Sequence, residues 1–248
     1  MWRRKWLLCA VAGERHYIVP ASMGWEWWSD AALLAAFNDA PPDNRGMCAK
    51  PLTGILGRGC FPHECSWLID NPLRRLFLTP ETLVTRMLLN DRSHVLEIGP
   101  GSGYFSVVLA GALSAGRLEL FDRQPEMLAK ARRKLEAHGR RNVGYQVGDA
   151  STALPYAGEE FDVVLLVTVL GEVSDKHKCL ESVQRVLRPR GRLVVHEHLP
   201  DPDFVSFANL CSIAAAGGFT LERRYGASWN YTAIFRKQGE QHRAGAPG

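Results

Sequence analysis

Residues Val95-Leu-Glu-Ile-Gly-Pro-Gly-Ser-Gly103 pass from a short apolar run into a loop in which every second residue is glycine. His94 to Ile98 has the length and composition of a buried strand. Gly99, Gly101 and Gly103 let the backbone that follows bend tightly and approach a ligand with no Cβ in the way. A helix is predicted from Tyr104 to Leu113, then a strand from Arg117 to Asp122. Asp122 closes that strand 23 residues beyond Gly99, where a carboxylate can accept two hydrogen bonds from a ribose diol. The loop reads G-x-G-x-G, and Tyr104 stands just past its third glycine. The dinucleotide fingerprint G-x-G-x-x-G is therefore not met, and its third glycine is what leaves the helix N-terminus open to a pyrophosphate. The pattern suits an adenosine that carries no pyrophosphate.

Outward from this loop the same alternation continues. Upstream, Thr79-Pro80-Glu81 reads as an N-cap with proline in the first turn, opening a helix to about Leu89. Downstream come a helix from Pro125 to His138, strands Val143 to Val147 and Phe161 to Val167, a helix from Lys176 to Leu187 and a strand from Arg192 to Glu197. A helix from Asp203 to Ala216 and strands Phe219 to Tyr225 and Trp229 to Phe235 close the series. Strands alternating with helices imply a mostly parallel, doubly wound sheet, here of seven strands. Only Gly226-Ala-Ser228 joins the final pair, too few residues for a crossover, so the last strand must run antiparallel to its neighbour.

The first third of the chain differs. Six of the seven tryptophans precede residue 68, and half of the fourteen prolines lie at or before Pro80. Helices are plausible at Trp25 to Phe37 and Trp67 to Phe77, with little sustained periodicity elsewhere. The expected organisation is a helical cap or lid over residues 1–79, a catalytic domain over 80–237, and a polar tail over 238–248. Arg3-Arg4-Lys5 before the apolar Trp6 to Ala12 resembles the start of a secretory leader, but seven apolar residues are the minimum for one. The preferred setting is cytoplasmic.

Composition removes several classes. Of 248 residues, 46% are hydrophobic and 23% charged, which excludes wholesale disorder, and no apolar run is long enough to span a bilayer. The net charge of +4 argues neither for nor against an anionic partner. Cys9, Cys48, Cys60, Cys65, Cys179 and Cys211 are too few and scattered for a disulfide scaffold, and no CxxC occurs.

Several ordered motifs together resemble the class I S-adenosylmethionine-dependent methyltransferases, over roughly residues 62 to 236. Val95 to Gly103 resembles motif I, whose glycines in that family lie under the methionine part of the cofactor and whose acid, here Glu97, supports the loop. Phe121-Asp122-Arg-Gln-Pro-Glu-Met127 is similar to motif II, implying Asp122 as the ribose carboxylate and Met127 near the adenine. Gly148-Asp149-Ala150 resembles motif III, where the acid meets the adenine amino group. Phe161 to Thr168 resembles motif IV, and Leu187-Arg-Pro-Arg-Gly-Arg-Leu193 the L-[KR]-P-G-G turn, with Arg190 in place of its first glycine. The likeness is greatest to small-molecule methyltransferases of the menaquinone, ubiquinone and arsenite type. It implies a Rossmann-like three-layer sandwich, S-adenosyl-L-methionine as cofactor, and a cofactor set of Glu97, Gly99, Gly101, Gly103, Tyr104, Asp122, Arg123, Met127, Asp149, Ala150, Val167 and Thr168. The implied activity is methyl transfer to a small, apolar acceptor.

Methyl transfer needs a protein base only when the nucleophile keeps its proton. Glu172, in Leu170-Gly-Glu-Val173, is the first candidate for a base or substrate anchor, beside a plain reading as a solvated acid at a helix start. His196 and His198 flank Glu197 and share one strand face; His196 is the second catalytic candidate. Without a third ligand in sequence, no metal is expected there. His63 between Cys60 and Cys65 suggests a thiophilic site, against which buried packing is the preferred reading. The basic stretch Arg123 to Arg141 is read as a solvated helix face, and nucleic acid is not expected as substrate. The segment Trp67 to Leu78, with Arg74 and Arg75, offers a lid, a lipophilic docking site or a peripheral membrane contact, the lid preferred. A nicotinamide-dependent oxidoreductase and a non-catalytic cofactor-binding module are the competing readings.

Overall fold

The computed structural model describes residues 6–11, 15–20, 78–199 and 201–238. The chain divides into two units, taken separately. In the first, β1 (Trp6–Val11) and β2 (Arg15–Pro20) form an antiparallel hairpin, with Trp6 opposite Pro20 and Val11 opposite Arg15. The stretch weighed as a secretory leader thus pairs as a strand, and the described part of the expected helical cap is a hairpin. The helices expected at 25–37 and 67–77, and the Cys60, His63 and Cys65 group, lie outside the described residues.

The second unit carries the doubly wound sheet. Its elements are α1 (Pro80–Met87), β3 (His94–Ile98), α2 (Ser106–Ala112), β4 (Arg117–Asp122), α3 (Pro125–Ala137), β5 (Val143–Val147) and β6 (Phe161–Val167). After a 3-10 turn at Leu170–Glu172 come α4 (Lys176–Val186), β7 (Leu187–His198), α5 (Phe207–Ala216), β8 (Phe219–Ala227) and β9 (Asn230–Lys237). The seven strands lie in the order β5-β4-β3-β6-β7-β9-β8. β9 runs antiparallel to both its neighbours and every other pairing is parallel, as the short last connection requires. Strand order reverses between β3 and β6, so the loops after these two strands open the crevice where such sheets bind ligands.

Two apolar layers flank the sheet. Leu83 and Met87 of α1, Leu109 of α2 and Leu128 and Leu135 of α3 pack on one face with Val95, Leu120, Leu165 and Val194. Leu180 and Val183 of α4 and Leu210 of α5 pack on the other with Leu96, Phe121, Leu166 and Val195. Central strands buried on both sides read as continuous apolar runs, as Phe161 to Val167 does.

Local chemistry sets the boundaries. Thr79 caps α1, its hydroxyl accepting from the Thr82 N–H at 3.2 Å, and Leu88 in left-handed conformation (φ 52°) ends the helix a turn-position earlier than expected. The helix expected from Tyr104 begins at Ser106, because Gly103 at φ 84° holds the preceding residues in a turn. The helix expected from Asp203 begins at Phe207. There Ser206 caps it by accepting from the Asn209 N–H, leaving 201–206 irregular. Arg190 does adopt the left-handed conformation (φ 63°) that the glycine it replaces would take freely.

Candidate functional site

The glycine loop hangs from the carboxyl end of β3. Glu97, 2% exposed, accepts from the Ser106 hydroxyl at 2.6 Å and so ties the strand end to the first residue of α2. The Gly99 N–H donates to the Phe121 carbonyl at 2.8 Å, fastening the loop to β4. All three glycines have positive φ, at 68°, 56° and 84°, but their surroundings differ. A Cβ on Gly99 would strike the Val169 side chain, and one on Gly103 would press the Ala131 backbone of α3 at 3.1 Å. A Cβ on Gly101 would meet nothing within 4 Å. Gly99 and Gly103 serve close packing, and Gly101 alone turns its Cα toward open space.

Asp122 ends β4 at the floor of this loop, 8% exposed, with its Oδ1 accepting from the Gln124 N–H at 2.9 Å. Burial pushes its carboxyl above the ordinary value, while N–H groups of Gln124, Gly101 and Arg123 pull the other way. The Gly101 amide thus links the loop directly to the acid the spacing singled out. Asp149, after β5, is exposed, and the Ser151 N–H donating to it at 2.8 Å holds its carboxyl below the ordinary value. Arg123, also exposed, adds its charge to both acids. Met127 and Ala150 are buried, and Tyr104 is half-buried, its ring edge-on to Phe105 at 4.9 Å. The ends of β3, β4 and β5 therefore gather most of the residues expected from the motifs.

The ends of β6 and β7 are built differently. Val167 is buried, and Thr168 follows at φ 51°, a rare conformation for a β-branched residue, held by its N–H donating to the His196 carbonyl at 2.8 Å. Val169 then lies against Gly99, so the loops after β3 and β6 touch. The Leu170–Glu172 turn is held by Lys176, whose Nζ donates to the carbonyls of Gly171 and Val173 at 3.0 and 2.9 Å. Gly171 has room only for hydrogen, since the Asp203 carbonyl lies where a Cβ would be.

Glu172 and His196 are not brought together. His196 is fully buried, with Nδ1 3.1 Å from the Thr232 hydroxyl, which also accepts from Arg86 of α1 at 2.8 Å. It shares a strand face with Val194, toward α1, and its ring centroid is 5.5 Å from that of His198. Glu172 stands instead within electrostatic reach of Glu197, on the opposite face of β7. Glu197 is the residue that sequence reading passed over: it is 1% exposed, and burial first, with Asp201 and Glu172 adding, pushes its carboxyl up to about 8 against the Val205 N–H and Lys176. An acid between two histidines at a central strand end was the available signal. Among the described residues no group of three or more His, Cys, Asp or Glu side chains is placed to hold a metal. The basic stretch on α3 is partly spent on packing: Arg132 lies 4.4 Å from the Tyr145 ring centroid, and Arg140 donates to the Val107 carbonyl.

The family described as Methyltransferase domain matches residues 89–225, more than half of the chain and the whole of this crevice. The chain belongs to the class I S-adenosylmethionine-dependent methyltransferases. Within that family it is 37% identical over 108 residues to a demethylmenaquinone methyltransferase of Thermus thermophilus, covering 44% of this chain and 48% of the relative. It is 34% identical over 152 residues to a demethylmenaquinone methyltransferase of Mycobacterium sp. (strain KMS), covering 60% and 65%. With an arsenite methyltransferase of Halobacterium salinarum it shares 31% over 115 residues, 45% of this chain and 29% of the relative. The chain spans less than two thirds of these relatives. A methyltransferase structure from Aquifex aeolicus superposes with a TM-score of 0.66 at 22% identity, covering 71% of this chain and 98% of that one, which shows a shared fold.

The cofactor of this methyltransferase family, S-adenosylmethionine, suits the residues present. The one unobstructed glycine, Gly101, adjoins the buried acid that ends β4, and an exposed acid follows β5. Tyr104 and Phe105 occupy the turn where a dinucleotide would need glycine.

Proposed function

We propose that the protein transfers a methyl group from S-adenosylmethionine to a small, apolar acceptor of the quinol kind. The observation that carries this is the unobstructed Cα face of Gly101 beside Asp122, opposite the strained Thr168 and the Glu172 turn across the same crevice. The two demethylmenaquinone methyltransferases support the acceptor class. An arsenic acceptor is disfavoured by the described cysteines: burial pushes the Cys179 thiol up to about 12 and raises that of Cys211, so neither supplies a thiolate.

When bound, S-adenosylmethionine supplies an electrophilic methyl group on a sulfonium. Asp122 holds the ribose hydroxyls, Gly101 admits the backbone close to the methionine part, and Gly99, Gly103 and Glu97 keep that loop in shape. Asp149 accepts from the adenine amino group, with Met127 and Ala150 packed beside the ring. Tyr104, Arg123, Val167 and Thr168 complete the enclosure. Glu172 anchors the acceptor and takes its proton where the nucleophile retains one. His196, sealed in the core, serves through the Thr232 and Arg86 hydrogen bonds that fix β7. Residues 80–237 form the catalytic domain and 1–79 a cap, in a cytoplasmic protein.

The test is a methyl-transfer screen with labelled cofactor against a short-chain demethylmenaquinol, arsenite and a set of phenols. Label should pass to the quinol. Transfer to arsenite alone would overturn the acceptor class, and label on none of them, with cofactor bound, would favour a non-catalytic binding module.

A further inference from the structure

The peptide of Val205 is gripped from two sides. Its N–H donates to Glu197 Oε2 across a long 3.5 Å, and its carbonyl accepts from the Tyr231 hydroxyl at 2.6 Å. Glu197 and Tyr231 stand directly opposite one another in the β7–β9 ladder, so adjacent strands supply the two halves of the grip. Segment 201–206, which leaves the carboxyl end of β7, is thereby drawn down beside the Leu170–Glu172 turn, where the Asp203 backbone touches Gly171. Glu197 and Tyr231 are 1% and 0% exposed, and among the described residues the second carboxyl oxygen of Glu197 has no hydrogen-bond partner.

We propose that Glu197 is a positioning residue for methyl transfer: with Tyr231 it fastens Val205, and so holds segment 201–206 against the Glu172 turn as a fixed wall on the acceptor side. The inference rests on the methyl-transfer reading for its purpose, though not for its geometry.

The state of the carboxyl follows from what surrounds it. Asp201 of the segment and Glu172 of the turn disfavour a charge on Glu197, Lys176 of α4 and the Val205 N–H favour one, and Tyr231 of β9 contributes a neutral hydroxyl, its own ionisation pushed up by burial. His196 and His198 project from the other face of β7. Burial outweighs the favourable contributions, so Glu197 works as the neutral acid, its carbonyl oxygen accepting from Val205. A group whose carboxyl value is raised in the closed state stabilises that state fully below its ordinary value of 4.5, and loses this contribution as pH rises to about 8. Opening of the segment should therefore gain about tenfold per pH unit between those values and nothing more above the upper one.

Amide hydrogen exchange of peptides spanning 201–206, corrected for intrinsic rates, reads this directly. From pH 5.5 to 7.5 the wild-type opening constant should rise on the order of 50-fold. Glu197→Gln keeps a neutral amide in place of the acid and should abolish the rise. Tyr231→Phe should speed exchange at every pH and leave the rise intact. The same pH dependence in Glu197→Gln, or a wild-type rate that follows intrinsic exchange alone, overturns the proposal. In turnover of a short-chain demethylmenaquinol, Glu197→Ala should raise the acceptor KM about tenfold while Glu197→Gln restores most of the loss. Equal losses in both variants would reduce Glu197 to a packing group. If no turnover of the quinol is seen in the wild type, the acceptor assignment fails while the exchange result still decides the fastening.

Discussion

The two halves of the crevice use opposite means. At the ends of β3, β4 and β5 the surface is made of backbone: three glycines at positive φ, an amide of Gly101 aimed at Asp122, and an acid left exposed at Asp149. At the ends of β6 and β7 it is made of buried and strained side chains: Thr168 at φ 51°, the Glu172 turn braced by Lys176, and Glu197 sealed beneath Val205. A half that receives an invariant cofactor can be a preset backbone mould. A half that receives the acceptor is made of side chains, which can change from one acceptor to another without disturbing the mould.

Substitutions can break this contrast at its strongest point, the glycine loop. Gly99→Ala should destabilise the fold by about 3 kcal/mol, combining left-handed strain with a collision against Val169. Gly101→Ala should cost only about 1 kcal/mol in stability, yet cripple cofactor binding. Urea denaturation beside calorimetric titration separates the two, and equal behaviour would dissolve the distinction between a packing glycine and a binding glycine. Glu172→Gln should then lower acceptor turnover by about 100-fold with cofactor affinity intact; parallel losses in both would merge the two halves. Asp122→Ala should do the reverse, weakening cofactor binding by about 1–3 kcal/mol, and unchanged affinity would remove the ribose assignment.

The smallest effect compares two left-handed residues that are not glycine. Arg190→Gly, at the turn within β7, should relieve about 1 kcal/mol of strain, offset in part by the greater freedom of glycine in the unfolded chain, with turnover unaffected. Thr168→Gly should relieve a similar amount and lower turnover, because its strain sits in the crevice. If both variants keep full turnover, Thr168 has no part in the acceptor half.

The same contrast explains what could be read in advance. The mould was legible because its chemistry is local: a strand, a glycine-spaced loop and an acid at the next strand end follow one another in the chain, from Val95 to Asp122. The antiparallel last strand was legible for a similar reason, since three residues cannot carry a crossover. Glu197 was not, because its character depends on Val205, Tyr231, Asp201 and Glu172, which converge only through the sheet. His196 and Glu172 looked like partners in sequence, and strand alternation sends them to different sides of β7. The start of α5 was misread because Asp203 is as good a cap as Ser206 by composition, and only the segment drawn down on the Glu172 turn favours the later one.

The most direct measurement is calorimetric titration of the full chain with S-adenosylmethionine, its demethylated product and NAD. The mould described here should bind the first two and ignore the third, since nothing in the Gly99 to Tyr104 turn receives a pyrophosphate. Binding of NAD with silence from the other two would contradict the account at its centre.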